Sequence, residues 1–156
     1  NSNPALRAFG GVLEMKKLLK DRTGSVSIMF FGFLFVLLLM TFLIIEMGAT
    51  MENHDYAVSV LQRACNSAVE ANIMDEYRAD GILLLDTQGA DEDFRSYVQD
   101  DLPSKYQVVI SSVNCTASPP SMTATGTITF PTVFSQYGFE EMTVSFTVKS
   151  TNYDLN

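Results

Sequence analysis

The sequence contains no tryptophan and only one histidine, His54. No proline falls between Ser25 and Tyr77, and no charged residue of either sign falls between Arg22 and Glu46. Only two cysteines occur, Cys65 and Cys115. Each shortage excludes something. A lone histidine without clustered cysteine or carboxylate at ligand spacing reads as an interfacial residue rather than a zinc ligand. No phosphate-cradling Gly-rich loop, no Gly-x-Ser-x-Gly and no cysteine–histidine pair at catalytic spacing is present. The acidic run Asp91-Glu92-Asp93 lacks the alternating oxygen ligands and closing glutamate of a calcium loop, so it reads as a solvated helix start. No catalytic residue, metal ligand or cofactor is expected, and nothing in the residues supports an enzyme.

The uncharged stretch is the strongest positive signal. From Ile28 to Met40 it is apolar on every side, whereas a soluble amphipathic helix would carry a polar stripe. Crossing the apolar part of a bilayer takes about 20 residues, and residues 25–45 supply that length. The expected organisation is therefore a basic upstream segment, residues 1–24, a transmembrane helix, residues 25–45, and an outer domain, residues 46–156. Residues 1–24 hold five basic and two acidic side chains, and residues 46–156 hold five basic and sixteen acidic ones. Basic residues beside a span stay on the cytoplasmic side. The expectation is a single-pass cell-membrane protein with a cytoplasmic N-terminus and an extracytoplasmic C-terminal domain. The acidity of that domain argues against nucleic acid and against docking on anionic lipid.

Residues 1–14 show no periodicity. Met15 followed by Lys16-Lys17-Leu18-Leu19-Lys20 reads as the initiator of a basic segment, with Gly10-Gly11 upstream in codons that can hold a ribosome-binding sequence. The apolar run is too long for the core of a cleavable signal peptide, which is about 7–15 residues.

Beyond Glu46 helical spacing persists. Met47, Met51, Val58, Leu61, Cys65 and Ala68 form a stripe, which drifts at Asn72 to Ala71 and Met74. One helix of about 50 residues is expected, with Gly48 as a candidate kink and Asp80-Gly81 as its end. The small residues Ala57, Ala64, Ala68 and Ala71 would let a partner element approach closely. Ile82 to Leu85 reads as either a strand or a buried turn. Residues 90–101 read as a second helix, with Asp91, Glu92 and Asp93 in its first turn and Pro103 as its stop.

The remainder alternates with a period of two. Tyr106, Val108 and Ile110 form one set. Met122, Ala124, Gly126, Ile128 and Phe130 form a second, and Met142, Val144, Phe146 and Val148 a third. These patterns predict three antiparallel strands, each with one buried face, packed on the amphipathic half of the long helix. The expected class is α+β. Loops are expected at 118–121 and 131–141. The aromatics Phe134, Tyr137 and Phe139 of the second loop more often cover a core than seize a ligand. The two cysteines fall in the outer domain. They either form a disulfide, which an oxidising compartment permits, or pack unpaired as small hydrophobes. Asn114-Cys115-Thr116 fits a glycosylation pattern short enough to arise by chance.

The run Lys20-Asp21-Arg22-Thr23-Gly24-Ser25-Val26-Ser27-Ile28-Met29-Phe30-Phe31 resembles a type IV prepilin N-terminus. The plan of one N-terminal helix joined to a small domain with a few strands resembles the TadE-type minor pseudopilins of Tad/Flp pilus systems. In motif the resemblance covers about residues 16–50. It implies a short leader ending at Gly24, with Ser25 as the first mature residue after a prepilin peptidase cuts. It further implies lateral association with other pilin-like or assembly-platform subunits. That family usually carries glutamate five residues into the mature chain, where this sequence has Met29. A buried charge in lipid is costly unless paired, so Met29 removes both the cost and the pairing. The departure implies a minor, tip or platform component rather than the filament body. The other reading of the chain is a stand-alone anchored module that captures a ligand at its sheet edge or at loop 131–141.

Overall fold

The structure, a computed structural model, describes residues 22–74 and 83–152. The basic segment up to residue 21 and the expected helix end at Asp80-Gly81 lie outside these residues. The chain divides into two compact units, Asn1–Ile44 and Ile45–Asn156.

The element order is α1 (Arg22–Ala71), α2 (Thr87–Asp101), β1 (Gln107–Thr116), β2 (Ser121–Phe130) and β3 (Met142–Thr151), with a short 3₁₀ turn at Ser135–Tyr137. This is the α+β arrangement that the residue periodicity predicts. Helix α1 is unbroken for 50 residues, through Gly48. In the first unit its surface is apolar and exposed all round, from Val26 to Ile44. It is the one helix among the described residues long and apolar enough to cross a membrane.

The second unit encloses one core. Its α1 portion contributes Ala57, Leu61, Ala64, Cys65, Ala68 and Val69. Three of these are alanines. Met47 and Met51, which the stripe assigns to the buried face, are instead exposed. The helix also ends at Ala71 rather than near residue 80. Asn72 is the reason. Its side chain donates back to the Ala68 carbonyl (2.9 Å) and across to Asp93 Oδ2 (2.8 Å). Its carbonyl accepts from Asp86 N (2.9 Å). Ile73 then leaves the helix to form a lone bridge with Leu85.

Helix α2 starts three residues earlier than the acidic run suggests. Asp86 is its N-cap, accepting from Gln88 N (3.1 Å) and Gly89 N (3.2 Å), which satisfies two of the donors every helix start leaves open. Asp91 to Asp93 therefore lie in the second turn. Ala90, Phe94 and Val98 face the core.

The sheet is antiparallel with order β1-β2-β3. Along β2, Met122, Ala124, Gly126, Ile128 and Phe130 are all buried, and the residues between them are half-exposed hydroxyls. Strand β1 is longer than the alternation of its first residues suggests. A bulge between Ile110 and Ser112 resets its phase, so that Val113 and Cys115 return to the core side. The outer face is a hydroxyl layer, tied across strands by Ser112–Thr125 (2.8 Å) and Thr129–Thr143 (2.9 Å).

Candidate functional site

No group of three metal-capable side chains occurs among the described residues. The His54 ring pairs with the carboxylate of its neighbour Asp55, at 3.3 Å. Interest therefore falls on four places: the helix start, the cysteines, a groove, and the loop between β2 and β3.

Gly24 and Ser25, the expected processing junction, lie in the first turn of α1, which begins at Arg22. Met29 is exposed on the same helix.

The fold brings Cys65 and Cys115, fifty positions apart in sequence, to the same end of the core. Met122 is the strand partner of Cys115, and its carbonyl accepts the Cys65 thiol at 3.9 Å. Both thiols are free. Burial pushes the Cys65 thiol up from 9.0 to about 11. The nearby Cys115 adds to the rise, and a backbone hydrogen bond from Ser150 opposes it. Cys115 is raised too, by burial first and then by the negative charge of Asp91. Nucleophilic sulfur is thiolate, so neither residue has the environment of a reactive cysteine.

An open groove of about 300 Å³ is lined by Glu52, Asn53, Tyr56, Pro103, Lys105 and Tyr106. Its floor is organised by Asn53, whose Oδ1 accepts from Lys105 Nζ (3.0 Å) and from the Tyr106 hydroxyl (2.9 Å). Tyr56 stacks on Tyr106 with ring centroids 5.7 Å apart. The Lys105 ammonium lies 4.8 Å from the Tyr106 centroid, a cation–π contact. Tyr106 meets Phe130 edge-on at 6.0 Å, which fixes the cluster to the core. The arrangement can hold a small flat or polar group.

The loop following β2 is ordered by its own bonds. Thr132 N donates to Ser135 Oγ (2.9 Å), and Gly138 takes a left-handed φ of 90° that lets the chain reverse. The Phe134 and Phe139 rings are 5.8 Å apart. The loop is pinned at one point, where Val133 N donates to the Glu46 carboxylate (3.1 Å). The expectation that its aromatics cover the core holds for none of them fully. Phe134 is half-buried, while Tyr137 and Phe139 are 72% and 67% exposed. The residues alone signalled the loop but not that its rings face outward.

Comparison with protein-family models, curated proteins and solved structures finds no match to this chain.

Proposed function

We propose that this chain is a minor pseudopilin-like structural component of a bacterial pilus or secretion apparatus, held in the cell membrane by the first half of α1. The observation that carries the reading is the continuity of that helix. A fully exposed, uncharged segment runs without a break into the core helix of a small α+β head. Such a helix has no polar face to give to water, and its favourable surroundings are lipid and other apolar helices. Van der Waals packing between like helices would join subunits, with Gly32 permitting close approach. Basic residues upstream of the span keep the N-terminus cytoplasmic, and the acidic head then lies outside. Met29 in place of an acidic residue leaves no carboxylate to pair with a neighbouring subunit's amine, which suits a minor or platform subunit.

Processing would occur between Gly24 and Ser25. Because both lie in a helical turn, a peptidase must first unwind the start of α1. Intact mass of the membrane-extracted protein tests the proposal. Cleavage after Gly24, with or without a methyl group on the Ser25 amine, is the expected result. An intact basic segment in cells that possess a prepilin peptidase would refute it. That outcome would favour a stand-alone anchored binding module, for which the Asn53–Tyr106 groove supplies the ligand site.

A further inference from the structure

We infer that the loop between β2 and β3 is a second membrane contact, a set of side chains that enters the headgroup region of a zwitterionic lipid surface beside the outer end of the span. The inference rests on the membrane anchorage proposed above.

Two observations carry it. The first is composition and exposure. Over residues 131–142 the loop and the start of β3 expose Val133, Tyr137, Phe139 and Met142. They do so on a backbone held by the Thr132–Ser135 bond and the Gly138 reversal. Large apolar side chains exposed together on an ordered loop mark a contact surface. Tyrosine suits the membrane–water boundary, where its ring is apolar and its hydroxyl wet, and phenylalanine adds apolar area that such a boundary can bury.

The second observation is position. Val133 N is bonded to the carboxylate of Glu46. Glu46 is the first charged residue after the uncharged run. It is one residue from Ile45, the last residue expected inside the bilayer. Whatever tilt the span adopts, covalent connection keeps Glu46 at the lipid boundary. A loop hydrogen-bonded to Glu46 is therefore at that boundary too. The occupant is lipid rather than an unspecified protein because the boundary is already there. Charge decides the kind of lipid. Glu46, Glu140 and Glu141 are acidic, and no basic residue lies between residues 131 and 142, so an anionic surface would repel the loop.

The absence of tryptophan supplies the test, since any introduced indole is a sole reporter. The full chain is reconstituted in phosphatidylcholine vesicles, with and without bromine on the acyl chains. Four single variants are compared. Phe139→Trp and Tyr137→Trp probe the loop. Phe35→Trp probes the span. Ala117→Trp, exposed in the turn at the opposite end of β2, is the control; ten residues of strand separate it from the loop, about 30 Å. The expected result is blue-shifted emission, lost on bromination, for Phe35→Trp and for both loop variants, with Ala117→Trp unaffected. Quenching of Phe35→Trp alone would overturn the loop contact while leaving the span intact, and would leave the loop for a protein partner. Equal quenching at Ala117 would overturn it as well, because the response would not belong to the loop. No quenching at Phe35 would overturn the anchorage and this inference with it.

Discussion

Gly126→Ala adds one methyl group at the centre of the sheet and should destabilise the head. Gly126 is paired with Ile110 on one side and Phe146 on the other. A Cβ there would overlap the Val109 carbonyl oxygen and lie 2.8 and 3.0 Å from Phe146 Cε1 and Cζ. The ring can rotate, but the carbonyl belongs to the β1 backbone beside the bulge and cannot retreat without breaking pairing. Two effects compete. Replacing glycine by alanine restricts the unfolded chain and stabilises by about 0.4–1 kcal/mol. Overpacking a well-filled site costs about 1–3 kcal/mol. The clash is with backbone, so the second effect wins, with a net loss of about 1–2 kcal/mol. For a unit of about 110 residues the unfolding entropy is about 0.23 kcal/mol/K, which converts the loss to a fall of about 4–9 °C in melting temperature. Thermal unfolding of the full chain in detergent micelles, followed by the sheet's circular dichroism, measures it. Phe146→Leu in the same chain removes the ring contact only, so most of the penalty should persist in that background. A melting temperature equal to or above the wild type would refute the packing argument.

Three further outcomes follow from the same geometry. Cys65 keeps its proton to about 11 when folded against 9.0 otherwise. Its contribution is whole below pH 9, and roughly 2–3 kcal/mol is lost as pH rises toward 11; a Cys65→Ala chain with the same slope in pH-dependent melting would contradict this. Asp86→Ala removes the N-cap of α2 and should cost about 1 kcal/mol, while Asp86→Asn recovers most of it, as read from urea midpoints. Asn53→Ala deprives Tyr106 and Lys105 of a shared acceptor and should cost about 1–2 kcal/mol of stability, read as a lower urea midpoint at unchanged slope.

The sequence made the long helix and the three strands legible because both periods were long and clean. Where it misled, a local interaction overrode the pattern. Strand β1 looked short because its alternation fails at Ser111-Ser112, and the failure is the bulge itself. Helix α2 looked short because three successive acidic residues resemble a first turn, and Asp86, the true cap, stands outside the apolar pattern. The end of α1 is not legible locally because Asn72 is only a gap in a stripe, whereas its amide and carbonyl tie the chain to α2 and its cap. Of the site, the aromatic loop and the two cysteines could be named in advance. Their placement could not. The meeting of Cys65 with the Met122–Cys115 pair, the Asn53–Tyr106 cluster and the Glu46–Val133 bond each join residues at least fifty positions apart, and no local pattern encodes such pairings.

The two edges of the sheet are both guarded, by different means. On β3, Gln62 of α1 donates to the Lys149 carbonyl at 2.8 Å, occupying an acceptor that an incoming strand would need. On β1, the extra residue at Ser111 interrupts the straight row of groups that a neighbour would have to match. Were the chain anchored as proposed, its copies would share one plane and meet at orientations less random than in solution. Both features work against recruitment of a fourth strand, and so against growth of the heads into a continuous fibre of sheet. Under the proposed function, recognition between copies would then fall to the helices, through van der Waals contact within the lipid.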